Sequence, residues 1–105
     1  GDANAQALRA LAYCTTPTRG LNLSGPIQSV RGLATGLAAR MNVPVTFSGR
    51  EADSAWLINC GEAERLFGPP SVPIEQLLDW TADWVARGGP SLGKPTHFEV
   101  RDGSY

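Results

Sequence analysis

Glycine and proline set the limits on what this chain can fold into. Twelve glycines and eight prolines make up about a fifth of its 105 residues. They gather at Ser24-Gly25-Pro26, Gly68-Pro69-Pro70 and Gly88-Gly89-Pro90. Glycine loses the most backbone freedom on ordering, and proline has no N–H to donate, so regular structure stops at such points. Connections therefore take up much of the chain, and each helix or strand must be short. At this length the chain is one domain or part of one. Its 42% hydrophobic and 18% charged residues fit a globular polypeptide and not a disordered one.

Between these breaks, hydrophobic periodicity predicts the elements. Asp2 to about Tyr13 reads as a helix, with Asp2 as N-cap and Ala5, Leu8, Leu11 and Ala12 at helical spacing. Leu21-Asn22-Leu23 reads as a short strand. A second helix starts near Ser29, carries Val30, Leu33, Ala34, Leu37 and Met41 on one apolar face, and ends at Asn42. Pro44 to Phe47 and Ala55 to Asn59 are strand-sized, separated by a polar loop. Glu62 to Phe67 makes about two helical turns. Pro73 opens a last helix whose buried face is Ile74, Leu77, Leu78, Thr81, Trp84 and Val85. A further strand is expected at His97 to Val100. The order gives an α/β class: an α+β-like small domain of short strands with about four helices. It spans residues 1–90, with an extended tail at 91–105.

Complete chemical motifs are missing. His97 is the only histidine, so no serine or cysteine has a choice of general base, and a structural role suits it best. Cys14 and Cys60 are too few for a disulfide framework or a four-thiolate zinc site, and read as reduced thiols of a cytoplasmic protein. Gly88 to Lys94 satisfies seven positions of a phosphate loop, but Pro95 stands where a Ser or Thr must reach magnesium. A helix also precedes it instead of a strand, so it is a turn. Trp80 and Trp84, four apart, are expected as core anchors, and Asp79 and Asp83 as surface charges. Nine basic and ten acidic side chains leave a net charge of -1, which gives no electrostatic reason to expect nucleic acid or an anionic membrane. Apolar runs are too short for a membrane span. Eight of the nine basic residues are arginine. With the many alanines, that usage points to a GC-rich bacterial genome.

Five local patterns, in order, resemble the C-terminal part of the NAD-dependent epimerase/dehydratase family, the extended short-chain dehydrogenases. They are the alanine-rich helix after Asp2, the strand Leu21-Asn22-Leu23-Ser24-Gly25-Pro26 and the serine-led helix at Ser29-Val30-Arg31-Gly32-Leu33-Ala34. The last two are Ala63-Glu64-Arg65-Leu66-Phe67-Gly68 and the tryptophan-bearing Asp79-Trp80-Thr81-Ala82-Asp83-Trp84. The resemblance implies a parent protein with an N-terminal Rossmann half that holds NAD or NADP and the catalytic tyrosine. This chain has neither part, so it would bind no cofactor and be inactive alone, contributing substrate contacts. The family's Arg-x-x-Asp matches Arg50-Glu51-Ala52-Asp53. The resemblance makes Arg50 the contact to a nucleotide-sugar diphosphate and Asp53 the contact to its ribose. The family's lysine in the next short helix has no counterpart, because Glu62 or Ala63 stands there.

The alternative reading is a stand-alone, non-catalytic protein-interaction module. On the epimerase/dehydratase reading, the apolar faces at Leu8/Leu11 and Val30/Leu33/Leu37 lose the part of their cover that the Rossmann half would give. A small domain buries a limited share of its surface, and the predicted edge strand is a template for pairing, so a homodimer is expected.

Overall fold

The structure, a computed structural model, describes residues 1–95. Four helices carry it: α1 (Asp2–Ala10), α2 (Val30–Met41), α3 (Gly61–Phe67) and α4 (Ile74–Ala86). A 3₁₀ turn, Leu11–Tyr13, continues α1, so the first helix tightens where sequence periodicity predicts it to run on.

Local chemistry sets most of the helix ends. Ser29 caps α2, its hydroxyl accepting from the Gly32 N–H at 3.3 Å. Asn42 ends the same helix in the left-handed region, with φ at 53°. Its N–H donates to Ala39 O, and the Val43 N–H reaches Ala38 O at 3.0 Å, which satisfies the last carbonyls. The end of α4 repeats the pattern. Gly88, at φ 67°, donates to Val85 O, and Gly89 donates to Trp84 O at 2.8 Å. Gly88 and Gly89, the first two glycines of the phosphate-loop-like stretch, are thus a helix C-terminal cap. Pro73 precedes α4 as its N-cap, one position earlier than the sequence suggests.

The α/β class does not hold. Among the described residues there is no strand and no sheet. The segments 21–23, 44–47 and 55–59 are irregular. A strand exists only through a partner's N–H and C=O groups, and these three stretches share no backbone ladder. Segments 21–23 and 55–59 meet through a single side-chain bond, from Asn22 Nδ2 to Asn59 O at 3.3 Å. Pro44 has no N–H to contribute. The strand expected at His97 to Val100 lies outside the described residues, as does most of the 91–105 tail.

Packing follows two helix pairs, α2 on α4 and α1 on α3. Gly36 makes the first pair close, since a Cβ there would lie 2.9 Å from Leu78 Cδ1. Arg40 then ties the two helices. Its Nε donates to Asp79 Oδ1 at 2.5 Å, one Nη to Glu75 Oε2 at 2.5 Å, and the other to Gly36 O at 3.1 Å. The two carboxylates, Asp79 foremost, raise the Arg40 pKa above its ordinary value.

Among the described residues the buried apolar ones are few and mostly small: Ala38, Ala63, Leu78 and Ala82. This corrects the faces expected for α1 and α4. In α1 the inward line is Asp2, Gln6 and Ala10, while Leu8 and Leu11 are each 70% exposed. In α4 the inward line is Ile74, Leu78 and Ala82, while Leu77, Thr81, Trp84 and Val85 are exposed. Trp80 and Trp84 are about half exposed and anchor no core. Instead, the Trp84 indole N–H donates to Pro90 O at 3.2 Å and braces the helix cap. Asp79 serves Arg40, and Asp83 pairs with Arg87, both on the surface.

Candidate functional site

The start of α1 is tied down by a carboxylate. Asp2 does not cap its own helix; Gly1 holds that position without a side-chain bond. Its two oxygens instead accept from Ser71 Oγ at 2.6 Å and from the Val72 N–H at 3.0 Å. These donors, the Ser71 hydroxyl first and the Val72 N–H next, lower the Asp2 pKa from the usual aspartate value. The contact joins residues 69 to 70 positions apart and holds α1 against the approach to α4.

A cleft of about 230 Å³ opens beside this junction. Its walls are mainly apolar: Ala3 of α1, Leu23 and Pro26 of the connection ahead of α2, and Val72, Ile74 and Leu77 at the start of α4. Gln6 lies one turn beyond Asp2 on the same face of α1 and lines the cleft. It is the one buried polar residue among those described, only 8% exposed. Its carboxamide makes no hydrogen bond to any residue. Among the described residues no side-chain nitrogen or oxygen is sealed away without a partner, so the amide opens onto the cleft.

A second hollow, of about 190 Å³, lies between the 3₁₀ turn and α3, bounded by Tyr13, Arg19, Glu62 and Arg65. Its charges are already engaged. One Arg19 nitrogen donates to both Glu62 oxygens, at 2.6 and 2.8 Å, and Arg65 stands 3.8 Å from the same carboxylate. The Tyr13 and Phe67 rings meet edge to face, centroids 5.6 Å apart.

Arg50 and Asp53 lie on the exposed connection between α2 and α3. They are brought together only as a loose ion pair, 4.0 Å apart, with side chains 90% and 94% exposed. Neither lines the cleft or the second hollow. Their neighbour Glu51 accepts from Arg31 at 2.6 Å, and the Arg31 guanidinium lies 4.1 Å over the Phe47 ring.

No group of three or more metal-ligating side chains occurs among the described residues. Cys14 and Cys60 are free thiols, Cys14 exposed and Cys60 half-buried. His97 lies outside the described residues. No helix among them is long and apolar enough to cross a membrane.

The Gln6 cleft was not foreseeable from sequence. Glutamine in an alanine-rich helix reads as a solvent residue. The only available signal was its i, i+4 spacing from Asp2, which gains meaning once Asp2 is known to face inward.

No protein-family model matches the chain, and comparison with curated proteins and with solved structures finds no match.

Proposed function

We propose that the chain is a non-catalytic interaction module whose apolar surface is covered by another polypeptide. The observation that carries this reading is the imbalance between core and surface. Among the described residues the buried apolar set is three alanines and one leucine, while Leu8, Leu11, Ile27, Val30, Trp56 and Leu57 are each more than half exposed. Scattered exposed hydrophobes are ordinary, but large exposed apolar patches mark association surfaces, and here the exposed large hydrophobes far outweigh the buried ones among the described residues. A second copy is the simplest cover, and a homodimer is the expected assembly. Two free thiols suit the reducing cytoplasm.

A second reading is supported by where the exposure falls. Leu8, Leu11 and Val30 are among the positions that a missing Rossmann half would cover in an epimerase/dehydratase-like parent. On that reading Arg50 and Asp53 wait, solvent-exposed, for a nucleotide-sugar delivered by the other half. The NAD(P) and the catalytic tyrosine belong to that half. The unpaired 21–23 segment would join its sheet.

Sedimentation or light scattering at roughly 0.1 mM, a working concentration for weak association, tests the module reading. A mass above 11.1 kDa is expected. A strict monomer that also leaves a hydrophobic-surface dye dark overturns it, because the apolar faces would then be covered within the chain.

A further inference from the structure

We infer that the cleft beside Gln6 binds an uncharged, extended peptide segment of a partner protein, with Gln6 pairing to the peptide main chain and one apolar side chain filling the pocket. The inference rests on the interaction-module reading and specifies what that module recognises.

Two independent features meet at this place. The first is the shape and lining of the cleft, about 230 Å³ with apolar walls from Leu23, Pro26, Val72, Ile74 and Leu77. A dry apolar cavity of about 150 Å³ is enough to take up benzene. This cleft therefore has room for one branched or aromatic side chain. The second is Gln6, a residue more than nine-tenths buried whose carboxamide opens onto the same cleft without a hydrogen-bond partner. A ligand that fills the apolar cleft strips this amide of water, so one that pairs with it is favoured over one that leaves it unpaired.

The chemistry of the amide selects the ligand. A carboxamide offers one acceptor and one donor group side by side. In an extended chain the N–H and C=O of one residue point to the same side, which is how paired strands exchange two bonds between opposed residues. Gln6 can take the place of that opposed residue. The Asp2 carboxylate, also on the cleft, disfavours a ligand bearing negative charge. Its own oxygens are held by Ser71 and Val72, so it supplies a field without needing a cationic partner.

The test is a titration of the ¹⁵N-labelled chain with an acetylated, amidated pentapeptide, Ser-Thr-Leu-Thr-Ser, followed by amide chemical shifts. Two comparison peptides carry an N-methylated leucine, or glutamate in place of the leucine. The expected result is saturable shifts at Ala3 to Gln6 and at Ile74 to Leu77. N-methylation should weaken binding at least tenfold, and glutamate should abolish it. Gln6→Leu should fold normally, since it swaps an unpaired amide for an apolar group, and should bind the plain and N-methylated peptides alike.

Equal binding of the plain and N-methylated peptides to the unaltered chain overturns the main-chain pairing. Shifts confined to other surfaces, such as residues 56–58, overturn the cleft while leaving the module reading intact. No shift with any peptide, in a chain that still self-associates, again overturns the cleft alone. No shift in a chain that stays monomeric and dark to a hydrophobic-surface dye overturns both.

Discussion

Leu78 Cδ1 lies where a side chain on Gly36 would have to grow, 2.9 Å from the Cβ position, so α2 and α4 approach through a glycine. Two effects oppose each other at this residue. Alanine would gain about 1 kcal/mol of helix propensity over glycine. Displacing a packed neighbour costs roughly 1–3 kcal/mol. Here the neighbour is the tip of a flexible leucine, which can give way to one methyl but not to a branched side chain. Gly36→Ala is therefore expected to be near neutral, and Gly36→Val to destabilise by about 1–3 kcal/mol. Urea unfolding followed by circular dichroism measures both. A neutral Gly36→Val would mean that the helices do not pack this closely.

Arg40 reaches four acceptor atoms in three residues on two helices, so its geometry counts as well as its charge. Lysine carries the charge but lacks the planar fork. Arg40→Lys should lower the melting temperature, and Arg40→Met should lower it further. Because Glu75 and Asp79 are largely exposed, added salt should shrink the gap between the unaltered chain and Arg40→Met. A gap that persists unchanged at 1 M salt, where the screening length is about 3 Å, would assign Arg40 a packing role instead.

Asp2 makes stability depend on pH, with a definite sign. Its native pKa lies below the ordinary value, held there by the Ser71 hydroxyl and the Val72 N–H. Between the native and unfolded values, the unfolded chain binds more protons, so stability rises with pH. The contribution is complete above the unfolded pKa and is lost as pH falls through the native one. Asp2→Asn should therefore be less stable than the unaltered chain at neutral pH, with the difference closing in acid. Melting curves across that range decide, and a difference independent of pH would exclude the carboxylate's charge as the cause.

Gly89 lies against Trp84 so closely that a Cβ there would overlap the indole ring. Gly89→Ala should push the ring away and break its bond to Pro90 O. A shift in tryptophan emission is the expected signature, together with fraying at the end of α4. An unchanged spectrum would show that the ring does not rest on the cap.

Arg50→Ala should leave stability within about 0.5 kcal/mol, as for surface sites generally, because its one ion pair is loose and exposed. In a complex with a Rossmann half, the epimerase/dehydratase reading requires a loss of about 1.5–3 kcal/mol in nucleotide-sugar binding, the range for charged hydrogen bonds. Unaltered kinetics in that complex would remove Arg50 from the substrate site.

The helices were legible in the sequence because their signals are local. Ser29, Asn42, Gly68 and Gly88 mark ends through capping and backbone freedom, which need only neighbours in the chain. Strands were misjudged for the converse reason. Leu21-Asn22-Leu23 and residues 55–59 have the right residue types, but a strand needs a second backbone, and folding brings them no closer than one asparagine bond. Buried faces also depended on tertiary contact. Leu8 and Leu11 outweigh Gln6 in hydrophobicity, yet the bonds from Ser71 and Val72 to Asp2 turn the Asp2–Gln6 side of α1 inward. Sequence alone thus determined where the chain is helical and, α1 apart, where the helices stop. Only the tertiary structure decided which sides face inward, and with them the Gln6 cleft, because that choice rests on residues some seventy positions apart.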